Sequence, residues 1–132
     1  MKDRERAARP HRKVEKNMMT SQSDRQIERV EQMAGGKGHV IIEHLLTPEQ
    51  LNGKCGLYAL VTIEPGCTLG MHEHIGETET YYLISGEGLY YDNDTSYPVK
   101  AGAVTFCEDG DKHGLDNTGD TDLVFLALII KG

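Results

Sequence analysis

From residue 57 onward the chain is a succession of short strand-like runs cut by turn signals, and this rhythm limits its possible folds more than any other feature. LYALVTIE (57–64), the stretch from Thr68 to His74, TETYYLIS (78–85), EGLYYD (87–92), YPVK (97–100), AVTFCE (103–108), HGLDN (113–117) and DLVFLALII (122–130) are rich in β-branched and aromatic residues. Between them stand Glu64-Pro65-Gly66, Ser85-Gly86, Asp92-Asn93-Asp94, Ala101-Gly102, Asp109-Gly110-Asp111 and Thr118-Gly119-Asp120, all turn formers. Many short strands at near-regular spacing predict an all-β sandwich or barrel. HVIIEHLL (39–46) adds a strand. TPEQLNG (47–53) predicts a brief helix, with Thr47 as N-cap, Pro48 at its first position, Gln50 closing the capping box and Gly53 past the end.

Ahead of these runs the texture differs. Residues 1–34 carry nine Lys/Arg against six Asp/Glu, whereas the remainder has five Lys against fifteen Asp/Glu. Residues 1–26 are expected to be a flexible basic tail and residues 27–132 a single domain. Ser23–Gln26 could cap a short helix running into Ile27 and Val30, although IERVEQM suits a strand equally. The acidic domain makes a nucleic-acid footprint improbable. No run approaches the ~18 apolar residues of a membrane span. The start also lacks the apolar stretch of a secretory signal, so a cytoplasmic protein is expected. Three cysteines without CxxC spacing argue against a disulfide framework, and Cys67 and Cys107 read as small buried residues. In DLVFLALII both alternating faces are apolar, which calls for cover on each side. The cover is either the N-terminal segment or a second copy in a homodimer.

The chemistry concentrates in GMHEHIGETETYYLISGEG (70–88). Side chains two apart on a strand share a face, so His72 and His74 project together. Glu79, Tyr81 and Leu83 share one face of the next run. His113 follows the polar turn Glu108–Lys112. Imidazoles and a carboxylate so placed suit a borderline divalent cation such as Mn²⁺, Fe²⁺, Co²⁺, Ni²⁺, Zn²⁺ or Cu²⁺. Two histidines on an exposed strand are otherwise ordinary polar residues, so the surrounding pattern decides.

That pattern resembles the cupin family. Gly66, five residues, His72-x-His74, four residues, Glu79, six residues and Gly86 match the first cupin motif at every marked position. Gly102, five residues, Glu108, one residue, Gly110, two residues, His113, three residues and Asn117 match the second, except that cupins usually have proline where Glu108 stands. The resemblance implies a double-stranded β-helix, the jelly-roll barrel of the RmlC-like cupins, and the capping pattern at Ser23–Gln26 adds a short N-terminal helical segment ahead of it. It also implies one metal (Mn, Fe, Ni or Zn) held by His72, His74, Glu79 and His113, with coordination positions left for a ligand. Glu77 competes with Glu79 for the carboxylate role, and the spacing to Gly86 favours Glu79. Glu73 is expected at the surface and Asn117 in a structural role.

Small cupins of this kind resemble oxalate-decarboxylase-like and sugar-isomerase-like proteins. The resemblance implies a small-molecule ligand, a sugar or an oxo-acid, and a decarboxylase, isomerase, lyase or dioxygenase reaction; the alternative is a non-catalytic binding protein for sensing or storage. No arginine follows Arg29, which weakens the oxalate version of that likeness, because oxalate or another small dicarboxylate is commonly gripped by a guanidinium fork. Tyr58, Tyr81, Tyr90 or Tyr91, Phe106 and Phe125 are candidates to line the cavity, with Tyr81 and Tyr58 as candidate catalytic groups.

Overall fold

The computed structural model describes residues 18–132, so residues 1–17 of the expected tail lie outside the described residues. The strands are β1 (Ile27–Glu31), β2 (His39–His44), β3 (Cys55–Ile63), β4 (Thr68–Glu73) and β5 (Glu77–Ser85), followed by β6 (Glu87–Asp92), β7 (Thr95–Lys100), β8 (Val104–Cys107), β9 (Lys112–Asn117) and β10 (Leu123–Lys131). They form a six-stranded sheet of order β1-β2-β3-β10-β5-β8 and a four-stranded sheet of order β4-β9-β6-β7. Every pairing is antiparallel. Two sheets packed face to face around one core make the jelly-roll barrel that the strand rhythm and the motif resemblance predict. No helix among the described residues is long and apolar enough to cross a membrane.

The helix after β2 forms as its capping residues require. Thr47 accepts from the Gln50 amide at 3.2 Å, Gln50 accepts from the Thr47 amide at 3.0 Å, and α1 spans Pro48–Leu51. The N-terminal segment departs from the expected cap at Ser23. The bond from the Ser21 amide to Asp24 Oδ2 (2.9 Å) instead closes a single 3₁₀ turn, Gln22–Asp24, and Ile27 opens a strand. Pairing along β2 from Ile27–Glu43 to Glu31–His39 decides the matter. A strand there satisfies the open edge of β2 and packs Val30 onto the core, which a lone helix turn would not do. Because β1 extends the sheet sideways beyond β2, this N-terminal strand does not give the outer face of β10 the cover that one reading of the sequence had it provide.

The core lies between the sheets. Ile63, Leu83, Leu115, Leu123 and Phe125 are fully buried there, and Cys67 and Cys107 are buried with them. Asn117 ties its loop to the core: its side-chain amide donates to the carbonyls of Ile63 and Thr121, each at 2.8 Å, and its oxygen accepts from the Gly119 amide. That is the structural role expected of it.

Candidate metal centre

Residues from both sheets build the site. His72 lies on β4, His74 just beyond it, and His113 on β9 as the Cα partner of His72. Glu79 comes from β5 in the opposite sheet. Alternation along β4 would not by itself aim His72 inward, because Leu69, three residues earlier, already faces the core. A bulge at Gly70–Met71 resolves this: Leu69 pairs with Leu115 and His72 with His113, so three residues of β4 span two of β9. The bulge needs glycine. A Cβ at Gly70 would sit 2.2 Å from the Ala34 carbonyl oxygen, in the segment that crosses over β4.

The four side chains meet at one point. Glu79 Oε1 lies 2.8 Å from His74 Nε2, 3.0 Å from His113 Nε2 and 3.7 Å from His72 Nε2, and one ligand atom from each residue falls within 4.8 Å of the others. The Nδ1 atoms point away, each to its own partner. His72 Nδ1 donates to the Gly70 carbonyl at 2.9 Å, His74 Nδ1 to Glu77 Oε2 at 2.7 Å, and His113 Nδ1 meets the Tyr90 hydroxyl at 2.8 Å. A carbonyl and a carboxylate only accept, so His72 and His74 carry their protons on Nδ1 and turn bare Nε2 lone pairs inward. Several acceptors aimed at one spot repel unless a cation joins them. The set therefore fits a borderline divalent metal ion held by three imidazoles and one carboxylate. Glu77, which the sequence allows as a rival ligand, orients His74 instead. Glu73 is exposed, as alternation predicts.

Charge follows the same logic. Burial raises the pKa of the Glu79 carboxyl, but when the imidazoles are protonated their hydrogen bonds, from His113 and then His72, and the charges on His113 and His74 outweigh it and hold the group at about 2. Burial also opposes charge on His72, yet its bonds to Glu79 and Gly70 leave it above the ordinary imidazole value. His113 is lowered, because burial there outweighs its bond to Glu79.

The structure separates the aromatic candidates. Tyr81 is buried, stacks on His113 with ring centroids 4.8 Å apart, and brings its hydroxyl to 3.4 Å from His113 Nε2. Phe125 lines the cavity and Tyr90 reaches His113 from behind. Tyr58 is not brought to the cluster: on β3 the inward positions are Leu57, Ala59, Val61 and Ile63, and Tyr58 takes the opposite parity. Phe106 likewise faces outward at 56% exposure, and Tyr91 bonds to Asp116 on the flank.

A two-sheet antiparallel barrel with three histidines and a glutamate converging inside it defines a class of protein, the β-barrel of the double-stranded β-helix type with side chains that could hold a metal at its centre. The cupin domain family model matches residues 59–129, and the chain belongs to the cupin family. It is 45% identical to an oxalate-binding protein of Thermotoga maritima over 113 residues, which cover 86% of this chain and 93% of the relative. Among solved structures it resembles a predicted oxalate decarboxylase of Thermotoga maritima, with a TM-score of 0.83 and 44% identity, covering 87% of this chain and all of that one. A sugar phosphate isomerase of the cupin superfamily from Silicibacter pomeroyi shares the fold at a TM-score of 0.60 and 20% identity, over 70% of this chain and 60% of that one.

Proposed function

We propose that the chain holds one divalent transition metal ion (Mn, Fe, Ni or Zn) on His72, His74, Glu79 and His113, and acts as a metal-dependent enzyme on a small oxygenated acid. The convergence of three histidine Nε2 atoms on Glu79 Oε1, with the Nδ1 atoms bonded elsewhere, carries this reading. A metal bound there would supply Lewis-acid polarisation of the ligand's oxygens. The protein's part is to fix the imidazoles through Gly70, Glu77 and Tyr90, to exclude water with apolar walls, and to present the Tyr81 hydroxyl. Burial, with Glu79 beside it, raises Tyr81 well above the usual phenol value, so at neutral pH it keeps its proton and serves as a donor. The oxalate-binding name of the Thermotoga maritima relative supports an acid of that class.

That same name supports a second reading, a non-catalytic binding protein. It gains weight because, among the described residues, Tyr81 is the one proton-bearing group that lines the cavity apart from His72, His74 and Glu79. We further propose that two chains pair as a homodimer through the outer face of the six-stranded sheet.

Elemental analysis of protein purified without tag or chelator, beside a His74→Ala control, tests the metal. The expected result is near-stoichiometric transition metal in the parent. The control should lose at least the ~10–100-fold in affinity that removing even an outer partner of a ligand costs. A parent that carries no metal and takes up none on reconstitution overturns the reading. Oxalate consumption by the loaded protein then separates enzyme from binder.

A further inference from the structure

The cavity that ends on the cluster has a volume of about 120 Å³. Apart from His72, His74, Glu79 and Tyr81, every described residue lining it is apolar, and among the described residues neither lysine nor arginine reaches it. The two arginines among the described residues are engaged elsewhere, Arg25 with Glu43 and Arg29 with Glu31. Most of the lining is buried. The residues that keep some exposure are Met33, Leu57, His72 and Ile129, and these mark the mouth. Three of the four are apolar, so a ligand resting on the cluster is wrapped by hydrocarbon wherever it does not touch the metal ligands.

Such a collar discriminates by where a ligand keeps its polar atoms. A distal carboxylate would lie against Met33, Leu57 and Ile129 with no cation and no donor among the described residues to pair it, and a sugar would strand hydroxyls in the same way. Resting on the metal-centre reading above, we propose that the site selects small acids whose polar atoms all lie at one end. These are oxalate itself, which can turn oxygens of both carboxylates to one ion, and 2-oxo acids with a short apolar tail.

Met33 sets the length of that tail. It sits in the segment from Gln32 to Gly38, whose backbone is unusually constrained. Gln32 (φ 50°) and Ala34 (φ 55°) are non-glycine residues in the left-handed region, and the Gln32 amide bonds the Gly38 carbonyl at 2.7 Å to close the loop. The segment is also clamped to β4. A Cβ at Gly36 would lie 2.3 Å from the Thr68 carbonyl oxygen, mirroring the contact of Gly70 with Ala34. The backbone beneath Met33 therefore cannot retreat, and a long unbranched side chain on a fixed base defines the ceiling.

Calorimetric titration of Mn²⁺-reconstituted protein tests this with 2-oxopentanoate and 2-oxoglutarate, which share chain length and chelating head and differ in a terminal methyl or carboxylate. The expected result is at least about tenfold tighter binding of 2-oxopentanoate. Equal affinity, or preference for 2-oxoglutarate, overturns the inference and leaves the metal centre standing. Failure to take up Mn²⁺ or any of the other proposed metals overturns both together. For Met33, the affinity ratio of 2-oxooctanoate to oxalate should rise about tenfold in Met33→Ala and shift far less in Met33→Leu, which keeps the bulk. A ratio that does not move in Met33→Ala removes Met33 from the role.

Discussion

Along β10, Leu123, Phe125 and Ala127 face the four-stranded sheet and are buried, while Val124, Leu126 and Leu128 face away from it and are half-buried. The two sets are nearly identical in chemistry. What differs is the surface opposite each. The inner set meets Leu115, Tyr81 and the rest of the core. The outer set continues across the sheet in register, from Leu60 to Leu126 to Tyr82 to Val104, as one apolar row. Val104 and Phe106 at the end of that face are 64% and 56% exposed. Hydrophobic residues thus mark both faces for burial, but the described residues of one chain complete only the inner one.

The sharpest way to break this comparison is to truncate one aromatic on each face. Phe125→Ala removes a fully buried ring beside Tyr81 and should destabilise the protein by about 3–5 kcal/mol in urea unfolding. Phe106→Ala, from the edge strand's outer face, should cost the monomer less than about 1 kcal/mol. Similar costs for the two would show that the outer face is covered, and unfolding midpoints independent of protein concentration would place that cover within a single chain. The outer face has a second and separate test. Leu126→Glu combined with Phe106→Glu places charges where the proposed partner would sit, so sedimentation velocity should give a dimer for the parent and a monomer for the variant. A parent that sediments as a monomer rejects the homodimer, and an unperturbed dimer in the variant moves the interface elsewhere.

The two faces also explain what the sequence could convey. The strands, the helix at Pro48–Leu51 and the four converging residues were legible because spacing encodes them: turn signals bound the strands, and the motif fixes His72, His74, Glu79 and His113 relative to Gly66, Gly86, Gly102 and Gly110. Side-chain direction was legible only where polar and apolar residues alternate. CGLYALVTI and AVTFC are apolar or neutral at both parities, so Tyr58 and Phe106 read as cavity candidates although each points away from the cavity. The bulge at Gly70–Met71 escaped alternation altogether. Its one trace is Gly70, whose necessity lies in a contact with Ala34 that is thirty-six residues distant. Glu77 was visible only as a rival for Glu79, because its bond to His74 Nδ1 depends on how the loop turns after β4.

The smallest expected effect lies where the two faces come closest, at β8, an edge strand held by β5 alone. There Phe106 points out and Cys107 points in, with 2% of its surface exposed. Burial, helped by nearby Asp111 and Glu79, raises the Cys107 thiol from 9.0 to about 11. At pH 8 a two-unit rise cuts the reactive thiolate by about 100-fold, before the loss of access is counted. Native-state alkylation followed by mass spectrometry should therefore modify half-buried Cys55 first and Cys107 last, and Cys107 should react only as pH climbs toward its raised value. Labelling of Cys107 as fast as Cys55 at pH 8 would mean that β8 opens from β5 on the timescale of the reaction. The inner face would then be closed less firmly at this edge than at β10, and the contrast between the two faces would hold at the centre of the sheet but fail at its rim.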